Sequence, residues 1–233
     1  ANRDLAALGM IDVTAAPFGA DPTGERDATE AIRKAVFFGR HHKLAVWFPL
    51  GEYRVSDTIE CRAGWSDERH ADHRYLPFCE LWPCVLIGER RDGRRPLVRL
   101  AEVSAGFDDP ENVKPVLYFD SRLWNRKEPL APLPDRIGAT GMNQLLYGFE
   151  LEIGPGNPGA ACVYFDQAEG STIQDCAFRT GDGYAGVWGA PGSGGAMFNL
   201  EFEGGAVGLA AIVSTRPTVT LAGGTFTGQR ECA

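Results

Sequence analysis

The stretch that decides the fold is Val13–Ser56, which reads VTAAPFGADPTGERDATEAIRKAVFFGRHHKLAVWFPLGEYRVS. Within it, Asp27 is a favourable N-cap, and Glu30 lies three residues later, the spacing of a capping box. Small and apolar residues then recur at the helical period. This pattern predicts one amphipathic helix over Ala28–Phe38, with Gly39 placed to end it.

Two short strands follow the predicted helix. The apolar run Leu44–Phe48 is bounded by breakers, which is typical of a buried strand. Pro49 and Gly51 turn the chain, and an alternating pattern resumes around Tyr53. The unit is therefore a helix that leads into consecutive strands.

The exact residues of this stretch are more specific evidence for a fold than its pattern of helix and strands. FGADPTGERDATEAIRKAV followed by VWFPLGEYRVS resembles the N-terminal segment of the pectate-lyase-like superfamily of secreted polysaccharide-active proteins. The resemblance implies a right-handed parallel β-helix whose open end is covered by the helix, because a raw sheet edge and an exposed core need a cover. The residues that carry the match are Gly19, Asp21, Gly24, Asp27, Ala31, Ile32, Pro49, Gly51 and Tyr53.

Length and charge limit the possible partners. A chain of 233 residues can bury a sizeable core as one domain. A net charge of −8 argues against nucleic acid or an anionic membrane as a partner. The sequence has no run near the ~18 apolar residues of a membrane span. It starts at Ala1, which is compatible with a processed secreted protein or with a fragment. We expect a secreted protein with neither nucleic-acid nor membrane partners.

The six cysteines leave two interpretations open. An even number suits disulfides in a secreted protein, but the pairing cannot be deduced, and buried free thiols are an equal alternative. No cofactor is predicted, and no metal site either, because four candidate ligands match no usual zinc spacing. Those four are His70, His73, Cys79 and Cys84; the remaining cysteines are Cys61, Cys162, Cys176 and Cys232.

We predict a single domain over 1–233 with three regions. The first is the helix and first coil (1–56), the second is a set of irregular coils with long loops (57–144), and the third is a set of regular coils (145–233). In the middle region, strands are predicted at 84–87, 97–100 and 116–119. A proline-rich stretch over 125–140 is predicted to cross one face, with Trp124 at its entrance as a candidate substrate contact.

The third region contains a repeat of short strands. Phe149, Phe178, Phe202 and Phe226 occupy equivalent positions in four segments, spaced 29, 24 and 24 residues apart. A repeat of this period with glycine turns and no helix is what a parallel β-solenoid requires. We therefore predict that the four phenylalanines point inward and stack in one column.

The residues that follow these phenylalanines form a second predicted column. They are Glu150, Arg179, Glu203 and Thr227, and side-chain alternation places them outward on successive coils. Acid, base and acid in a column predict a salt-bridge ladder. Glu150 and Glu203 are therefore expected to be structural, because a general acid must hold a proton that Arg179 would disfavour.

A second resemblance concerns activity. GSTIQDCAF followed by GAPGSGGAMFNLEFEGGAVGL resembles the N-terminal β-helix of the exo-β-1,3-glucanases of glycoside hydrolase family 55. In that family, the positions matched by Gln174 and Ser193 help to hold the attacking water. The family's catalytic acid, a glutamate, lies in a later β-helix domain, so the resemblance implies that this chain is part of a longer protein.

Other candidate residues come from spacing alone. Glu201 and Glu203 lie about 6.6–7 Å apart on one strand face, within the carboxylate spacing of inverting glycosidases, so Glu201 is a catalytic candidate. Asp182 lies in a glycine-flanked turn near Tyr184 and Trp188, an arrangement that suits sugar binding and ordinary turn chemistry equally.

The sequence therefore predicts an inverting β-1,3-glucan hydrolase domain that acts on polysaccharide. A calcium-dependent lyase and a non-catalytic, tailspike-like glycan-binding β-helix are the alternatives. We expect a C-terminal domain or another subunit to cover the open end of the solenoid.

Overall fold

The computed structural model describes residues 4–61, 83–120, 141–167, 169–192, 194–211 and 219–232. The strands and the helix follow one another in seven coils. The first coil contains β1 (Met10–Asp12) and β2 (Thr23–Asp27) and leads into α1 (Thr29–His41). The second coil contains β3 (Ala45–Phe48), β4 (Glu52–Val55) and β5 (Ile59–Glu60). The third coil contains β6 (Val85–Gly88), β7 (Leu97–Leu100) and β8 (Lys114–Asp120).

The fourth coil contains β9 (Leu145–Tyr147), β10 (Glu150–Ile153) and β11 (Ala160–Asp166). The fifth contains β12 (Thr172–Gln174), β13 (Ala177–Gly181) and β14 (Ala185–Trp188). The sixth contains β15 (Ala196–Gly204) and β16 (Val207–Ala210), and β17 (Thr220–Thr227) lies in the seventh.

Strands of successive coils pair in parallel to form three faces. The first face runs β1-β3-β6-β9-β12-β15 and the second β2-β4-β7-β10-β13-β15, while the third runs β5-β8-β11-β14-β16. β15 belongs to both of the first two faces, and β17 pairs along it. This topology confirms the predicted right-handed parallel β-helix.

The helix α1 covers the first-coil end of the core. Ile32, Ala35 and Val36 are buried in the core cluster, and the helix packs against β1, β3 and β5. The helix runs three residues beyond the predicted end, because Gly39 lies inside it rather than after it. A Cβ on Gly39 would lie 2.7 Å from Val46 Cγ2, so this glycine permits close packing of the helix on β3.

The predicted capping box is not formed at the start of α1. Asp27 Oδ1 accepts the Thr29 backbone N–H at 2.8 Å, as a capping carboxylate would. The residue in the N-cap position is Ala28, however, and the Glu30 carboxylate accepts from Arg33 Nη1 at 2.6 Å instead of closing the box. The prediction was therefore wrong both in its N-cap residue, Asp27, and in the role of Glu30.

The phenylalanine column is confirmed for three of its four members. The Phe178 and Phe202 rings are 5.1 Å apart, and those of Phe202 and Phe226 are 4.6 Å apart. Leu151, not Phe149, is in register with Phe178. Phe149 is buried next to the Gly148 corner, where its ring packs edge-on against Phe48 at 5.0 Å. The prediction that Phe149 occupies the position equivalent to Phe178 was wrong by two residues at this corner.

Candidate functional site

The outer surface of the first face carries a row of aromatic and apolar side chains. Strand register places Trp47, Ile87, Tyr147, Gln174 and Phe198 next to one another on five successive coils. Because side chains alternate along a strand, the residue before each of them is buried and these five point outward. We call this row the aromatic strip.

The three aromatic residues of the strip lie on alternate coils. Coils are stacked about 4.8 Å apart, so Trp47, Tyr147 and Phe198 repeat at roughly 9.6 Å along the solenoid axis. Phe198 is 37% exposed, and the other two are partly exposed. Aromatic faces combined with a small number of polar groups are the usual composition of a small-molecule site, and here the polar group is the Gln174 amide.

A turn next to the strip holds Gln174 in place. Asp175 and Asn199 both adopt positive φ, at 55° and 52°. The Asp175 carboxylate accepts from Asn199 Nδ2 at 3.1 Å and from Gln174 Nε2 at 3.4 Å, and it pairs with Arg90 Nη1 at 2.8 Å. Partial burial raises the pKa of Asp175, but the hydrogen bond from Asn199 and the Arg90 guanidinium outweigh burial and hold it below its ordinary value. The carboxylate that contacts Gln174 is therefore ionised at neutral pH.

The second face carries an ionic ladder instead. Arg179 contacts Glu150 Oε1 at 3.2 Å and Glu203 Oε2 at 2.7 Å, which confirms the predicted ladder. Glu201, a predicted catalytic residue, belongs to the same network. Its Oε1 lies 3.0 Å from Arg95 Nη1, and its Oε2 lies 3.6 Å from Arg179 Nη2.

Replacing Arg179 by alanine is expected to lower the free energy of unfolding by about 1 kcal/mol. Each exposed ion pair contributes ~0–1 kcal/mol, and the side chain is one-third exposed, so solvent screens the pairs. Urea unfolding in low and in high salt measures the effect, which should shrink as salt rises. An equal loss at both salt concentrations would contradict an ionic origin.

The remaining candidates lie elsewhere on the solenoid. Asp182 is an exposed residue at the turn between the second and third faces, where its Oδ2 accepts the Gly156 backbone N–H at 3.0 Å. Tyr184 and Trp188 both pack on a cluster of small third-face residues that includes Ala185. The Trp188 ring also meets Tyr164 edge-on at 4.9 Å.

The structure thus places Tyr184 and Trp188 against the same third-face cluster, away from Gln174 on the first face. Gln174 lies on the first face, Glu201 on the second, and Asp182 at the next corner. Ser193 and Trp124 lie outside the described residues, as do His70, His73 and Cys79. The described residues include no group of three or more His, Cys, Asp or Glu side chains that could hold a metal ion. In that same part of the chain, no helix is long and apolar enough to cross a membrane.

Sequence reasoning missed the aromatic members of the strip. The available signal was their position next to a corner. Tyr147 directly precedes Gly148, and Phe198 directly precedes Asn199, both of which have positive φ. In the coil between them, Gln174 likewise directly precedes a residue with positive φ, Asp175.

One family model and several solved structures are similar to this chain. Residues 13–66 match a family model described as rhamnogalacturonase A/epimerase, pectate lyase-like.

Similar solved structures include the Dettilon tailspike protein (12% identity, TM-score 0.40). The match covers 94% of this chain and 39% of the tailspike chain. The surface adhesin PfbA of Streptococcus pneumoniae (13%, TM-score 0.36) matches over 93% and 62%. An N-terminal fragment of the bacteriophage phi29 gene product 12 (13%, TM-score 0.34) matches over 93% and 41%. The chain therefore spans less than two thirds of the length of each of these structures. No curated protein matches the sequence.

Proposed function

We propose that this chain is a carbohydrate-active β-helix and that it contributes the glycan-holding surface of an inverting β-1,3-glucan hydrolase. The observation that carries the proposal is the aromatic strip, with the Gln174 amide between Tyr147 and Phe198. Sugar rings present apolar faces to aromatic side chains and hydroxyl groups to an amide, which both donates and accepts hydrogen bonds. Arg90, the cation next to Gln174 of the strip, is compensated by the Asp175 carboxylate, which suits a neutral glycan.

In this proposal Gln174 holds the attacking water. An inverting mechanism needs one carboxylic acid to protonate the leaving oxygen while a water attacks the opposite face of the sugar. The Gln174 amide can hold a water without titrating, and Asp175 fixes its orientation through the contact with Nε2. Ser193 is proposed as the second polar group at that water.

Neither Glu201 nor Asp182 lies next to Gln174, where a catalytic acid would be needed. Both oxygens of Glu201 lie within ion-pair distance of arginines, in the ladder on the second face and away from Gln174. Asp182 accepts a backbone hydrogen bond in its turn. We therefore propose that the acid comes from another domain, and we expect the isolated chain to bind β-1,3-glucan but to hydrolyse it slowly at most.

The partners and location proposed from the sequence belong to the same hypothesis. We propose a secreted protein with polysaccharide as its ligand and with further coils or a second subunit packed against β17. What supports the last point is the Phe226 ring, which stacks on Phe202 from the β17 side and is only partly buried.

Replacing Tyr147 or Phe198 by alanine is expected to weaken laminarin binding by roughly threefold to tenfold each. One aromatic contact contributes about 0.5–1.5 kcal/mol, and 1.4 kcal/mol corresponds to tenfold in affinity. Affinity electrophoresis in laminarin-containing gels measures the change. Phe37→Ala is the matched control, because Phe37 is 42% exposed but lies on α1, and its affinity should equal that of the unmodified chain.

The activity test compares this chain with the longer protein that we propose contains it. Each is assayed on laminarin and on polygalacturonate, with and without a calcium chelator. Laminarin hydrolysis by the longer protein, lost in Gln174→Ala, is the expected result. Calcium-dependent release of unsaturated products from polygalacturonate would contradict the hydrolase proposal and indicate a lyase. Laminarin binding without hydrolysis by either protein would indicate a non-catalytic, glycan-binding β-helix.

A further inference from the structure

The connection between β6 and β7, residues 89–96, is a short hairpin at the corner between the first and second faces. Its tip is a tight turn in which Asp92 and Gly93 both adopt positive φ. The corresponding corners of the fourth and fifth coils need only two residues each, 148–149 and 175–176. The hairpin is therefore an insertion at a corner that the neighbouring coils turn tightly.

Two arginines fix this hairpin against later coils. Arg90 Nη1 lies 2.8 Å from Asp175 Oδ2 in the fifth coil, and Arg95 Nη1 lies 3.0 Å from Glu201 Oε1 in the sixth. The Arg95 side chain is largely buried, so this anchor is shielded from solvent. The hairpin is thus held along the corner that borders the aromatic strip.

Arg90 follows the edge of the strip. Its stem crosses Gly148, where a Cβ would lie 3.2 Å from Arg90 Cγ and 3.4 Å from Cδ, so the glycine lets the stem pass closely. Gly148 directly follows Tyr147, and Asp175, where the guanidinium ends, directly follows Gln174. The stem therefore lies beside one strip residue and the guanidinium beside the next.

The guanidinium of Arg90 can donate further hydrogen bonds at this place. A guanidinium has five N–H donors in a planar fork and no acceptor. Asp175 contacts Nη1, no other partner of the Arg90 side chain occurs among the described residues, and the side chain is 33% exposed. Because Asp175 compensates the charge, the remaining donors suit the hydroxyl oxygens of a neutral sugar.

We propose that Arg90 is a further sugar-binding residue, whose guanidinium donates to an oxygen of the sugar unit that packs on Tyr147. The inference rests on the proposed glycan-binding function of the strip. Arg90 and Gln174 are complementary there, because a guanidinium only donates whereas an amide both donates and accepts. The hairpin then forms a side wall of the binding surface, and its two anchors preorganise the contact.

The test is affinity electrophoresis of the whole chain with Arg90→Met, in gels with and without laminarin. This variant keeps the apolar stem over Gly148 and removes every donor. Laminarin binding should weaken roughly threefold to tenfold, the effect of losing one hydrogen bond. Arg26→Ala controls for the change in net charge, because Arg26 also faces a carboxylate, Asp21 at 3.7 Å, but lies on β2. Its affinity should equal that of the unmodified chain, and an equal affinity of Arg90→Met would overturn the proposal.

A double variant separates a sugar contact from support of Asp175. Arg90→Met leaves the Asp175 carboxylate uncompensated, and that carboxylate also contacts Gln174 Nε2 at 3.4 Å. Asp175→Asn removes the charge, and asparagine tolerates the positive φ of 55° at this position. Arg90→Met/Asp175→Asn should bind laminarin as weakly as Arg90→Met. Recovery to the affinity of Asp175→Asn would overturn the sugar contact, and this comparison also decides if Arg90→Met alone does not fold.

The same gels distinguish a failure of this inference from a failure of the proposed function. Binding that is weakened by Tyr147→Ala but unchanged in Arg90→Met would overturn the role of Arg90 and retain the strip. Binding unaffected by Tyr147→Ala, or no laminarin binding by the unmodified chain, would overturn the proposed function and the role of Arg90 with it.

Discussion

Replacing Phe202 by alanine is expected to lower the free energy of unfolding by about 3–5 kcal/mol, the usual cost of removing a buried phenylalanine. Phe202 is 2% exposed, and its ring lies between those of Phe178 and Phe226. Its removal leaves a cavity in the middle of the column. The rigid backbone of two paired coils limits how far the neighbouring rings can close it.

Urea unfolding followed by circular dichroism measures this loss. Phe198→Ala is the matched control, because it removes the same side chain from the same strand, β15, but on the outer surface. We expect the control to cost less than about 1 kcal/mol, as surface substitutions usually do. Equal losses in the two variants would contradict the assigned inward and outward faces of β15.

Replacing Gly88 by alanine is expected to cost about 3 kcal/mol or more. A Cβ at this position would lie 2.2 Å from the Gly148 carbonyl oxygen and 2.8 Å from Pro96 Cγ. The first of these atoms belongs to the backbone of the next coil, so the clash cannot be relieved by a rotamer change. Overpacking of this kind typically costs 1–3 kcal/mol, and a backbone clash lies at or above the upper end of that range.

Gly224→Ala is the matched control for this prediction. Its Cβ would lie 3.3 Å from the Leu221 and Phe226 side chains and no nearer to any other atom outside its two chain neighbours. Ordinary side-chain movement relieves such contacts, so the thermal midpoint should stay within a few degrees of the unmodified value. A Gly88→Ala protein as stable as the Gly224→Ala protein would show that the corner after β6 is looser than described.

Much of the fold was predictable because it depends on local patterns. The motif around Gly51 and Tyr53 and the coil-length repeat indicated the β-helix, and the strand predicted at 97–100 matches β7. Predictions failed where a tertiary contact decided the outcome. Glycine commonly ends a helix, but Gly39 lies within α1 because the close packing of α1 on β3 leaves no room for a side chain there. Phe149 matches the sequence pattern of the phenylalanine column, but the corner at Gly148 shifts the register so that Leu151 takes its place.

The candidate site was predictable only in part, for a related reason. Gln174 was identified through a family resemblance, but its neighbours in the strip come from coils far apart in the sequence. Trp47 and Tyr147 are brought into line with it only by the exact register of the intervening strands. Asp182 follows Gln174 by only eight residues in the sequence, but the β-helix places the two at different corners of the coil.

The central claim is that the aromatic strip holds the glycan, and a crystal structure of the chain with a β-1,3-linked glucose oligosaccharide tests it most directly. The predicted result is an oligosaccharide along the outer first face, with sugar rings against Tyr147 and Phe198 and a hydroxyl or water at the Gln174 amide. A sugar bound instead at the ionic ladder around Arg179, or on the third face beside Trp188, would contradict the account.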